Sequence, residues 1–200
     1  MAASRKSVIK DEPNRRAEIV RAASRLFAEK GYAATTIRDI ARAVDMQSGS
    51  PFYHFKTKHD MLKAVVLEGM EIITAAVGAA AAQGGTPRDV FDAMLLAHLE
   101  QLLAEDGRHF AATLLHEGRH LDPAALAELI EHKDRYEALW QKAMRDLKRA
   151  GEIADDSHVT RLFLMGALNW TVQWYHPNGG RTVKQIARQL SQLLLLPKTR

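Results

Sequence analysis

Residues 35–62 read TTIRDIARAVDMQSGSPFYHFKTKHDML. Ile37, Ile40, Ala41 and Val44 recur at helical spacing and give a short helix with one apolar face. Asp45, Met46 and Gln47 break it, and the short residues Ser48, Gly49 and Ser50 lead through Pro51 into the aromatic run Phe52-Tyr53-His54-Phe55. A helix, a tight break and a second helix of short residues that can approach a duplex closely are the parts of a helix-turn-helix DNA reader. Thr35 or Thr36 can accept from the free amides that begin the Ile37 helix, Asp39 suits the positive end of its dipole, and the same amides can take a phosphate. Pro51 fits the reading helix only in its first turn, where a missing N–H has no partner to lose.

Upstream, Ile19, Ala22, Ala23, Leu26 and Phe27 form the apolar stripe of a first helix that stops at Gly31. Gly31-Tyr32, Thr35-Thr36 and Tyr53-His54-Phe55, with the spacing between them, resemble the N-terminal DNA-binding domain of TetR/AcrR-type bacterial repressors over residues 14–62. Two positions depart from that pattern: Asp45 stands where glycine is usual in the turn, and Pro51 where a helix former is usual. Asp reaches the left-handed conformation at some cost, so the turn can form. Tyr53, His54 and Lys58, at the end of the reader and the start of the next helix, are expected on phosphates; Gln47, Ser48 and Ser50 are expected on base edges. Thr35, Thr36, Arg38 and Pro51 complete the expected DNA face.

The charge distribution agrees. Residues 1–60 carry 12 Lys and Arg against 7 Asp and Glu, a surplus of +5, whereas residues 61–200 carry 16 against 17. The net +4 of the chain therefore sits with the reader, as phosphate contact requires. With 46% apolar residues in 200, the chain can bury a full core. The absence of cysteine excludes disulfides and thiolate zinc sites and fits a reducing cytoplasm. No run of about 18 uncharged apolar residues suggests a membrane span, and Met1–Lys10 has basic residues without a following apolar region.

Beyond residue 60 the pattern is helical throughout. A long helix from Thr57 or Lys58 to Gln83 ends at Gly84-Gly85-Thr86-Pro87; a second carries Val90 to Leu103 and breaks at Glu105-Asp106-Gly107; a shorter one spans Arg108 to Glu117. After Asp122-Pro123 a helix runs to Gly151, and two more cover Ser157 to Tyr175 and Thr182 to Leu195. The expected architecture is all-α with about nine helices: a disordered basic arm at 1–13, a DNA-binding domain at 14–60, and a helical ligand-binding and dimerisation domain at 61–200. On the last two helices, Leu162, Gly166, Trp170 and Trp174 share one stripe, and Ile186, Leu190 and Leu193 another. Such stripes are rarely left in water, and in the resembled family two helices per subunit pair across a two-fold axis, so a homodimer reading a palindromic duplex is expected.

Met94, His98, Trp140, Met144, Met165 and Asn169 mix adaptable apolar and polar groups as a helix-bundle pocket does, with His116 and Arg119 as further polar lining. His116-Glu117-Gly118-Arg119-His120 is also a literal H-E-x-x-H, the zinc-protease arrangement when it lies on a continuous helix. Gly118 inside it and Pro123 soon after end the helix within the motif, and no third ligand follows, so no metal or cofactor is expected. No nucleophile elbow or phosphate-cradling glycine loop appears elsewhere. The run Leu168-Asn169-Trp170-Thr171-Val172-Gln173-Trp174-Tyr175-His176-Pro177-Asn178-Gly179-Gly180 is similar to the subgroup that senses acyl-CoA thioesters. That resemblance implies an acyl-CoA effector, with Arg119 or Arg135 on the CoA phosphates and the long helix as the route to the reader. A repressor released by a small molecule is the resulting expectation. A ligand-independent architectural DNA-binding dimer and, far behind, a metal-dependent hydrolase are the alternatives.

Overall fold

Helix ends in this chain are set by capping side chains and by glycines, and together they place eight α-helices in the computed structural model, which describes residues 12–196. They are α1 (Glu12–Lys30), α2 (Ile37–Ala43), α3 (Lys58–Ala81), α4 (Pro87–Leu103), α5 (Glu105–Glu117), α6 (Pro123–Arg149), α7 (His158–Trp174) and α8 (Val183–Leu194). Two short 3-10 turns, Ser50–Tyr53 and Gly118–His120, interrupt the order. No strand occurs among the described residues. Thr36, Thr57, Thr86 and Thr182 each form a reciprocal capping box with the residue three positions on. Gly31, Gly84, Gly85 and Gly151 take positive φ where helices end.

Three expectations change. Residues 1–11 of the expected arm lie outside the described residues, and α1 already begins at Glu12 rather than after residue 13. The expected reading helix, the ninth, is instead a 3-10 turn over Ser50–Tyr53 with Pro51 in its first turn. The break between α4 and α5 is a single residue, Ala104, so Glu105, Asp106 and Gly107 open α5 rather than separating two helices. A Cβ on Gly107 would stand 1.8 Å from the carbonyl oxygen of Gln101. Only glycine permits so tight a corner.

Helix α3 is the axle, packing on α1, α4, α5 and α6. By length and overall composition it could pass for a membrane-crossing helix, although Glu68 and Glu71 interrupt it and no uncharged run of about 18 residues occurs in it. Its Met61, Leu62, Val65, Val66 and Val77 are instead buried in a core that continues from Ile19 in α1 to Leu195 after α8. Gly69 lets α5 approach closely, since a Cβ there would meet the Phe110 side chain, its Cβ and ring edge, at 2.9–3.1 Å. Helix α1 also packs directly on α5, where the buried Thr113 hydroxyl donates to the Ser24 carbonyl at 3.1 Å. The reading head thus rests on two elements of the C-terminal part, α3 and α5.

Candidate nucleic-acid interface and effector domain

The reading face is built around the loop between α1 and α2. Gly31, at φ +83°, closes α1, and the wholly buried Thr35 donates its hydroxyl to Leu26 O at 3.1 Å and Gly31 O at 2.9 Å. Thr35 is therefore a fastener rather than a DNA contact. Thr36 is the cap: its hydroxyl oxygen accepts from Asp39 N at 3.1 Å, and Asp39 accepts from Thr36 N at 3.0 Å. The Thr36 hydroxyl, donating to Asp39 Oδ2 at 2.6 Å, and the Thr36 N–H hold the pKa of the Asp39 carboxyl below its ordinary value. Asp45 does turn the chain in the left-handed region, at φ 51°.

Lys58 does not reach outward. Its ammonium donates to Tyr32 O at 2.8 Å and Thr35 O at 2.9 Å, and stands 4.3 Å above the centre of the Tyr32 ring. It pins the loop from inside, which revises the expectation of a phosphate contact. Pro51 is likewise buried beneath the turn, next to buried Phe55. What remains at the surface is Thr36, Arg38, Gln47, Ser48 and Tyr53, the last 91% exposed, with Ser50 and His54 partly covered. Arg42 and Lys56 share this exposed segment and were not singled out by the sequence reading. Their only signal was charge beside the motif.

The eight residues expected to line a ligand pocket fall into three places. Met94, His98, Trp140 and Met144 are buried together where α4 meets α6. Met165 is half-buried and Asn169 exposed on α7. His116 and Arg119 are exposed at the other end of the molecule, where His120 stacks on Tyr32 of the reading head at 5.1 Å. Helix α5 ends at Glu117, so the H-E-x-x-H residues straddle a helix end, with Glu117 and His120 paired at 3.4 Å. No grouping of three metal-ligating side chains occurs among the described residues. A cleft of about 690 Å³ opens between α3, α4 and α6, lined by Gly78, Val90, Met94, Leu139 and Ala143, with Lys142 and Arg149 beside it. Met94 alone of the expected ligand residues touches it. Arg135 faces Glu71 at 3.9 Å and is no part of that cleft.

On α7, Val159, Leu162, Phe163, Trp170 and Trp174 are between 44% and 74% exposed, and nothing lies within 4 Å of a Cβ built on Gly166. Leu193 of α8 is 84% exposed. Ile186 is buried, and Leu190 packs half-buried against the same core, so these two close the monomer instead of the expected seam.

Two family descriptions match the chain: "Bacterial regulatory proteins, tetR family" over residues 19–65, and "Tetracyclin repressor-like, C-terminal domain" over residues 84–196. The chain belongs to the TetR family. It is a helix-turn-helix transcriptional regulator. Among its relatives, the transcriptional repressor KstR2 of Rhodococcus jostii is 29% identical over 185 residues, covering 90% of this chain and 89% of that one. The crystal structure of the superantigen PfiT superposes with a TM-score of 0.77 at 34% identity, over 93% of this chain and 98% of the other. AibR, crystallised with isovaleryl coenzyme A and operator DNA, superposes with a TM-score of 0.78 at 25% identity, over 90% and 97%.

Proposed function

We propose that this regulator is a homodimeric repressor that holds a palindromic operator and leaves it when an acyl-CoA thioester binds the α3–α4–α6 cleft. The observation that carries the dimer is the uncovered apolar face of α7, with Leu193 of α8 exposed as well. Five large apolar side chains exposed along one helix are the kind of surface that a partner covers. A two-fold axis through it joins two identical patches and presents two reading heads to one duplex. In this reading residues 14–60 read DNA in the cytoplasm and residues 61–200 bind effector and pair.

The acyl-CoA class is supported by AibR and by the cleft itself: small and apolar walls at Gly78, Ala81 and Val90 suit an acyl chain, and Lys142 and Arg149, both paired with Asp146 of the same lining at 2.8 and 3.5 Å, would have to exchange that carboxylate for phosphates. Lys142 and Arg149 replace Arg119 and Arg135 as the candidates for that role. An effector acts only through unequal affinity for the free and operator-bound dimers. The test is fluorescence anisotropy on a duplex selected from random sequence, titrated with isovaleryl-CoA and decanoyl-CoA. Release at saturating acyl-CoA, with none from coenzyme A alone, is the expected result; no release by either removes the effector class and leaves the DNA-binding assignment in place.

A further inference from the structure

The buried cluster joining α4 and α6 holds hydrogen-bonding capacity that the protein does not use. His98 is 1% exposed and Trp140 fully buried, with ring centroids 6.1 Å apart. His98 Nδ1 lies 2.5 Å from the Tyr136 hydroxyl. His98 Nε2 and Trp140 Nε1 have no hydrogen-bond partner. Burial lowers the pKa of His98 to about 4 and pushes the Tyr136 hydroxyl up, so both groups are neutral at pH 7. A neutral imidazole carries one N–H. When Tyr136 donates to Nδ1, the phenol proton and that nitrogen are both satisfied and the imidazole proton sits on Nε2. The other tautomer strands the phenol proton, and therefore satisfies less. The core thus contains two N–H donors that complete no hydrogen bond, His98 Nε2 and Trp140 Nε1, although Trp140 also interacts with the Tyr136 hydroxyl. Buried donors left without a partner are costly and uncommon.

The cluster lies just behind the cleft. Met94 lines the cleft one helical turn before His98, and Leu139 and Ala143, on either side of Trp140 in sequence, line it too. A methionine side chain is flexible enough to move aside for a ligand. We propose that His98 and Trp140 form a carbonyl-recognition site, in which a neutral acyl oxygen of the effector accepts from Nε2–H and Nε1–H at once. This rests on the effector reading above and adds what that reading lacks: the chemical group that is read. A carboxylate fits less well, because the cluster offers neutral donors and would have to bury its charge.

The decisive probes differ by one oxygen. Isovaleryl-CoA and decanoyl-CoA are each compared by calorimetry with the thioether that lacks only the carbonyl oxygen, S-isopentyl-CoA and S-decyl-CoA, on the full chain and on Trp140→Phe. The thioesters should bind about tenfold or more tighter than their thioethers, and Trp140→Phe should cut that preference to about threefold. Isotope-edited infrared spectroscopy of the ¹³C-labelled thioester should show the carbonyl band shifted down in the complex and partly restored in Trp140→Phe, a readout that a merely structural tryptophan would not move. Equal binding of thioester and thioether, or an unshifted band, overturns the carbonyl site while the effector reading stands; a preference for decanoate over decanoyl-CoA overturns both. Binding of neither pair overturns both.

Discussion

Lys58 lies in a positively charged head yet turns its charge inward, onto the carbonyls of Tyr32 and Thr35 and the face of the Tyr32 ring. Lys58→Met should destabilise the head by about 1–2 kcal/mol in chemical denaturation, because it leaves carbonyls of the loop without their donor. The same variant should leave the salt dependence of DNA binding unchanged, whereas Lys56→Ala should flatten the slope by roughly one unit. A flattened slope for Lys58→Met would return that lysine to the phosphate contacts. His98 makes a second claim at this scale. Its folded pKa, about 4, lies below its ordinary 6.5, so between those values the unfolded chain takes up a proton that the folded one refuses. Stability must then fall as pH drops through that window, by up to about 3 kcal/mol, and be flat above it. Denaturation midpoints at pH 7 and pH 5 for the wild type and His98→Gln check this; a drop that persists in the variant assigns it to other groups.

At the scale of elements, what was legible in the sequence is what local chemistry decides. The four threonine capping boxes, the glycine stops and the apolar periods of α3, α4 and α6 are written in neighbouring residues, and the chain folds there as its spacing predicts. The reading segment differs from the expected helix because Pro51 and the run of short residues favour a turn over a helix. The ligand residues were scattered for a different reason: a 3.6-residue period marks which side chains face inward but not which helix end they share. Close approaches are invisible to periodicity as well. Gly69 reads as an ordinary helix glycine until Phe110 is found against it, so Gly69→Ala should cost about 1–3 kcal/mol by wedging α5 from α3, against the gain expected from helix propensity alone. Thermal unfolding gives the sign. Asp45, held at φ 51°, carries the opposite expectation: Asp45→Gly should stabilise the head by about 0.5–1 kcal/mol, and an unchanged or lower midpoint would mean the aspartate side chain compensates for its backbone.

Across the whole molecule the two ends do different work and meet through α3 and α5. The 3-10 turn at Gly118–His120 touches the reading head through the His120–Tyr32 stack, and α1 leans on α5 through Thr113 and Ser24. In the proposed reading, α5 thus offers a second contact with the head beside the long helix α3. Both contacts matter only if two heads are held in register, which makes pairing through α7 and α8 the central claim. Phe163 tests it well, since at 74% exposure its replacement should leave the monomer fold almost untouched. Sedimentation equilibrium of Phe163→Asp beside the wild type, with helical content checked by circular dichroism, is the most direct measurement. The account requires the wild type at twice the 22.3 kDa chain mass and the folded variant at the mass of one chain, with operator affinity lowered by about a hundredfold or more. A folded Phe163→Asp protein that stays dimeric and keeps its operator affinity would contradict it.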